Sequence, residues 1–211
     1  MTSYRERAER VEAFGEERIR ALQNGYRGNH ARAVAGLAEL RRGVGSRIGS
    51  DVELLGLALS GPSVDLVESS QWAGDEPLPE EHAVFAAVTL YAVHQQSRRD
   101  TSMHHRGYSI GRSARLLGRR IADEAVRRRF TALGTSTTWD ETVHHARGLI
   151  QQLRQHSIPL DYGRFARDLF DLHVGYGDRV RMSWGRDFYR LHDPDDADAA
   201  ADPSLPDHET A

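Results

Sequence analysis

The sequence predicts an all-α protein built from two small helical bundles packed together. Three observations carry this reading. Apolar residues recur at three- and four-residue intervals along most of the chain, the period of a helix with one buried face. No segment alternates apolar and polar residues as a half-buried strand does. Capping residues and helix breakers fall where the helical pattern starts and stops.

Tyr4, Ala8, Val11, Gly15, Ile19 and Leu22 form the inward line of a first helix. Asn29 is positioned to cap a second, whose line is Val34, Leu37 and Leu40 and which Gly43 ends. A short third helix covers 51–59 and stops at Gly61-Pro62. After Pro79, EEHAVFAAVTLYAVHQQ places acids in its first turn and apolar residues on every face. That pattern describes a buried central helix. RRDTSMHHRG, residues 98–107, is a polar connector between the two halves.

Beyond it, Ile110, Ala114, Leu117 and Ile121 share one face. On a continuous helix Val126, Phe130 and Leu133 would lie roughly 160° away from that face. The chain therefore breaks near 122–124, with Asp123 as the cap of a new helix. Thr138 and Glu141 form a capping box for a helix running to about His156, and Ser157-Ile158-Pro159 ends it. Asp161 caps the next helix, which turns Tyr162, Phe165, Leu169 and Leu172 inward, and MSWGRDFYRL closes the fold. The boundaries give an N-terminal bundle at 1–97, a C-terminal bundle at 108–192 and a disordered acidic tail at 193–211.

Composition excludes several chemistries. There is no cysteine, hence no disulfide, thiolate zinc site or cysteine nucleophile. All 28 basic residues are arginine, which removes the phosphate-loop lysine, Schiff-base chemistry and Ser–Lys nucleophile pairs. The N-terminus lacks the apolar core of a signal peptide. The most apolar run, 83–93, is shorter than the ~20 residues that span a bilayer. A cytoplasmic protein with no membrane partner is expected.

The formal net charge of −3 conceals a segregation by sign. The segment 193–211 holds seven acids and no arginine, and without it the chain carries +4. Residues 51–97 carry −8, and residues 98–129 carry +7. Such asymmetry points to an anionic partner. On the helix after the connector, Arg112, Arg115 and Arg119 fall within a roughly 60° sector opposite the apolar face. Arg127 and Arg128 point away from the Val126/Phe130 face of the next helix. Together they predict an outward arginine surface suited to phosphates. His144, Arg147, Gln151 and Arg154 line one flank of the helix at 138–156, while Arg41-Arg42 end a helix whose dipole they complement. Arg5, Arg7 and Arg10, interleaved with Glu6, Glu9 and Glu12, form a mixed-sign surface.

No catalytic set emerges, and no metal or cofactor is called for. GVGSRIG has the wrong spacing for a dinucleotide loop and no strand before it. His104-His105 and His144-His145 cannot both point to one metal from a regular helix, and they read as surface histidines. His192-Asp193 is the lone His-Asp pair, and DPDDAD lacks the glycine and final glutamate of a calcium loop. Trp184 with Phe188 and Tyr189 reads as core rather than a base-stacking platform. The histidines leave an all-α metal-dependent phosphohydrolase as the alternative to a non-catalytic nucleic-acid-binding protein.

Particular segments then narrow the reading. GLAELRRG (36–43), AVTLYAVHQQ (87–96), SIGRSARLL (109–117) and VRRRFTAL (126–133) are followed by TVHHARGLIQQLRQHSIPLDYGRFARDLFDL (142–172) and VRMSWGRDFYR (180–190). In this order they resemble the CasB family, the small subunit of the type I-E CRISPR surveillance complex Cascade, over about residues 30–190. IPLDY-x-R-x-A-x-DL and W-G-R-D-F are the most specific of them. The resemblance implies an all-α pair of bundles without catalytic activity. It also implies two copies head to tail among the other Cascade subunits, contacting crRNA and holding target and displaced DNA strands in the R-loop. Carried over by matching segments, Arg42, Arg112, Arg115, Arg128, Arg129, Arg147 and Arg154 are candidate nucleic-acid contacts. Arg119 joins them from the helical geometry. The chain departs from the family pattern at Ala146, where a larger apolar residue is usual, and in its acidic tail.

Overall fold

The computed structural model describes residues 3–67 and 76–190. The acidic tail and His192-Asp193 lie outside them. Among the described residues the chain forms nine helices and no strand, as the periodicity predicts. They are α1 Tyr4–Arg27, α2 Ala31–Arg42, α3 Val52–Leu59, α4 Pro79–Gln95, α5 Ile110–Arg120, α6 Asp123–Gly134, α7 Trp139–Gln155, α8 Tyr162–His173 and α9 Gly177–Tyr189. Within these residues no helix is long and apolar enough to cross a membrane.

Helix α4 is the hub. Every residue from Ala83 to Gln95 is buried, and the helix packs against α1, α2, α3, α7 and α8. Pro79 occupies its first turn, where the missing N–H costs nothing. Helix α1 runs along α8, and Gly163 permits the approach: a Cβ there would sit 3.1 Å from the Glu12 carbonyl oxygen. Helix α5 packs on both α6 and α9. Gly111 is required at the second contact, because an added Cβ would come 2.3 Å from the Trp184 carbonyl oxygen. Buried apolar residues of both halves join in one continuous core, and Ala146 is fully buried in it.

Most helix ends follow the sequence reading. Asp51 and Asp161 cap α3 and α8 through their side chains. Thr138 and Glu141 make the reciprocal box at α7. Two caps differ. His30, not Asn29, precedes α2, and Asn29 adopts a left-handed φ of 56° in the tight turn from α1, a conformation asparagine tolerates. Ala122 occupies the N-cap of α6, and Asp123 is the first residue inside it, where a carboxylate favours the positive end of the helix dipole.

The connector is sewn into the core. Gln95 Oε1 accepts from the Met103 N–H at 3.0 Å and the Tyr91 hydroxyl at 3.0 Å. The Gln23 side chain accepts from the His104 N–H at 2.9 Å. Met103 is fully buried. A single bridge pairs His104 with Leu160. This corrects the reading of His104 as a surface histidine. Its ring is buried, with Nδ1 accepting the Tyr162 N–H at 3.1 Å, and burial lowers its pKa. Position in a polar-looking segment said nothing of this, because the backbone partner comes from the start of α8.

Candidate nucleic-acid interface

Ser109 begins the candidate site. Its hydroxyl caps α5 by accepting the Arg112 N–H at 3.2 Å and donates to Asp187 Oδ2 on α9 at 2.6 Å. Asp187 Oδ2 also accepts from Arg164 Nη2 of α8 at 2.9 Å, and Arg164 Nη2 reaches Ser183 Oγ at 3.0 Å. Arg112 Nη1 donates to the Gly107 carbonyl at 3.3 Å, and its guanidinium lies 4.4 Å from the centroid of the Tyr108 ring. Arg115 Nη1 donates to the Arg190 carbonyl at 2.8 Å. Together Arg112, Arg115, Arg164 and Arg190 line a cleft of about 370 Å³ in which Asp187 supplies the one carboxylate. Four guanidiniums facing one carboxylate at the N-terminal end of a helix make a strongly anion-attracting surface.

Arg115 is a correction to the outward surface read from the helical wheel. It does lie opposite the apolar stripe of α5, yet it is buried, with 8 % of its surface exposed. The reason is a second neighbour: α9 crosses the face that the wheel leaves to solvent, and its end covers Arg115. Arg112 is half-buried on the rim. Arg119 is exposed near the end of α5, and Arg127, Arg128 and Arg129 are all exposed on α6. Arg127 pairs with Glu124 at 3.3 Å.

The remaining candidates are dispersed. Arg42 is exposed at the end of α2, paired with Glu39, and borders a hollow that Asp51 and Glu53 also line. Arg147 is exposed at the rim of a different cavity, and Arg154 is half-buried near the end of α7. Sequence reasoning missed Arg164, Asp187 and Arg190 as parts of the cleft. The signal was present, since Arg164 and Asp187 lie inside the two most specific segments. Trp184 and Phe188 are core residues, as read, whereas Tyr189 is 63 % exposed. Among the described residues no three His, Asp or Glu side chains are grouped to hold a metal ion.

Behind the cleft, Trp184 Nε1 donates to the buried carboxylate of Asp168 at 2.6 Å. Burial raises the Asp168 pKa to about 7, against the lowering effect of the indole hydrogen bond and Arg164. The native state therefore holds this proton more tightly than the unfolded chain. The resulting stability is fully present below the ordinary value of 3.8 and is lost as pH rises through about 7. Relative to wild type, Asp168→Asn should gain about 3 kcal/mol between pH 5 and pH 8, measured by urea denaturation. An offset that does not change with pH would refute the assignment.

The model of the family described as CRISPR-associated protein Cse2 matches residues 36–189. Among solved structures, the chain is similar to the crystal structure of CasB from Thermobifida fusca. The two are 37 % identical, with a TM-score of 0.69 over 85 % of this chain and 97 % of that one. A search of curated proteins finds no match. With nearly all of α2 to α9 inside the family model, and the same helical fold in a structure of that identity, the chain belongs to the CRISPR-associated protein Cse2 family.

Proposed function

We propose that the chain is a non-catalytic small subunit of a type I-E Cascade complex, acting in antiviral defence in the cytoplasm. In this reading it sits beside other Cascade subunits and a second copy of itself. It holds the backbones of crRNA, target DNA and displaced DNA, and so stabilises the R-loop. The observation that carries the proposal is the arginine cleft of α5, α8 and α9, to which α6 adds a row of exposed arginines. Guanidiniums on open helix faces bind phosphate without reading bases, so they suit a strand of any sequence. The cleft offers a fixed anchor, because Arg112 and Arg164 are held by neighbouring oxygens. The α6 row offers exposed guanidiniums along the side of a strand.

Two measurements test this. Tandem purification with the other Cascade subunits and a guide RNA should recover the chain in the complex. The free protein should bind single-stranded DNA and RNA weakly, with little sequence preference. If about five phosphates are engaged, the log–log salt slope should be roughly −3.5. A slope near zero, or a strong preference for one duplex sequence, would contradict backbone binding.

A further inference from the structure

A second cavity lies away from the arginine cleft, between the turn at 44–48, α4 and α7, with a volume of about 440 Å³. We propose that it receives one unstacked base of a single-stranded nucleic acid, whose flanking phosphates rest on Arg47 and Arg147. The floor is apolar, formed by Phe85 and Ala86 of α4 and Val143 of α7, all buried. Thr89 also lines it, but its hydroxyl proton is engaged by the carbonyls of Phe85 and Ala86 at 2.8 and 3.1 Å.

One wall is Trp139, which is half-buried. Its indole meets His82 and His173 edge to face, with centroid distances of 5.9 and 4.9 Å and interplanar angles of 78° and 88°. The ring is thus fixed from two sides without being stacked on either neighbour. The rim has the opposite character. Arg47, His144 and Arg147 are exposed there, against Asp140 as the one carboxylate.

An aromatic wall and apolar floor beneath a cationic rim match the two ends of a nucleotide, a π-face and a phosphate. An acidic peptide would satisfy the rim and leave the aromatic wall unused, so the observations favour the base. With the Thr89 proton already engaged, recognition would rest on stacking and tolerate any base. The site is separate from the α5–α6 surface and extends the proposed function from holding backbone to holding a base.

The test compares a thymidine oligonucleotide with an abasic strand of the same length, binding to the free full-length protein. Base stacking should make the thymidine strand bind about tenfold more tightly. Trp139→Ala should bring the ratio close to one while leaving affinity for the abasic strand unchanged. Ser46→Leu, a bulky aliphatic side chain at an exposed position on the rim, should do the same without touching the core. A wild-type ratio near one, or a ratio that both variants retain, overturns the proposal. If the two strands bind equally with a steep salt slope, the base site falls and backbone binding stands. If neither strand binds, both fall. A wild-type ratio near one, with both variants failing to co-purify with Cascade subunits, would make the cavity a seat for a protein side chain and overturn the base site.

Discussion

Replacing Arg119, Arg128 and Arg129 together by glutamate should lower affinity for single-stranded nucleic acid by a few hundredfold at about 50 mM salt. Each phosphate contact on a single strand contributes about 0.7 to the log–log salt slope. Three lost contacts therefore remove a slope of about 2, which at that salt amounts to between two and three powers of ten. Repulsion from the new carboxylates adds to the loss. All three side chains are exposed, and surface changes of this kind usually cost about 0.5 kcal/mol or less each. The thermal midpoint should therefore barely move, and a Cascade carrying the variant should form R-loops poorly while still assembling. Arg115 is left out of the set, since reversing it would place a carboxylate in a buried site against the Arg190 carbonyl. Arg5→Glu with Arg32→Glu is the control, because both are exposed on helices remote in sequence from α5 and α6. Equal tolerance of the two sets, by fluorescence anisotropy over a salt series, would reduce the α6 arginines to an ordinary solvated face.

The second large effect concerns stability. Arg7→Ala should cost about 3 kcal/mol and lower the thermal midpoint by roughly 9 °C. Arg7 Nε reaches Glu80 Oε1 at 2.5 Å, and the Glu80 side chain is 1 % exposed while that of Arg7 is 31 % exposed. Removing the guanidinium leaves a carboxylate in the packed junction of α1 and α4 with its cation gone. That is the costly way to break a buried pair. Arg7→Ala combined with Glu80→Gln should recover much of the loss, because it removes the stranded charge as well. A single variant that melts within about 2 °C of wild type would mean that water already solvates the pair. Within the mixed-sign row of Arg5, Arg7 and Arg10, Arg7 differs from Arg5 in where its partner lies. Glu9 is the i+4 partner of Arg5 on the same helix, whereas the partner of Arg7 lies on α4.

Local information was legible wherever a residue acts through its own helix. The capping box at Thr138, the caps at Asp51 and Asp161, the stop at Gly43 and the buried run of α4 are all decided within a few residues. The two caps that differ, at Asn29 and Asp123, are one-residue shifts where a tight turn or a helix dipole offered an equivalent place. Sign segregation was legible as well, because counting charges along the chain needs no coordinates. So was the family, through segments that include Arg164 and Asp187.

Side-chain burial against a second neighbour was not legible. A helical wheel divides a helix into one inner and one outer face, and it fails when two partners take two faces. Arg115 is outward by that measure and covered by the end of α9 in the fold. His104 belongs to a polar segment and is held by the backbone of Tyr162. Arg112, Arg115, Arg164 and Arg190 come from α5, α8 and the residue after α9, and only the packing of those helices brings them around Asp187. The helices, most of their ends, the sign of each stretch and the family follow from residues close together along the chain. The tertiary structure alone decided which arginines are bound into the core, which stay in solvent and which converge. Helix formation depends on neighbours within about four residues, whereas the field at a charged group depends on everything packed around it.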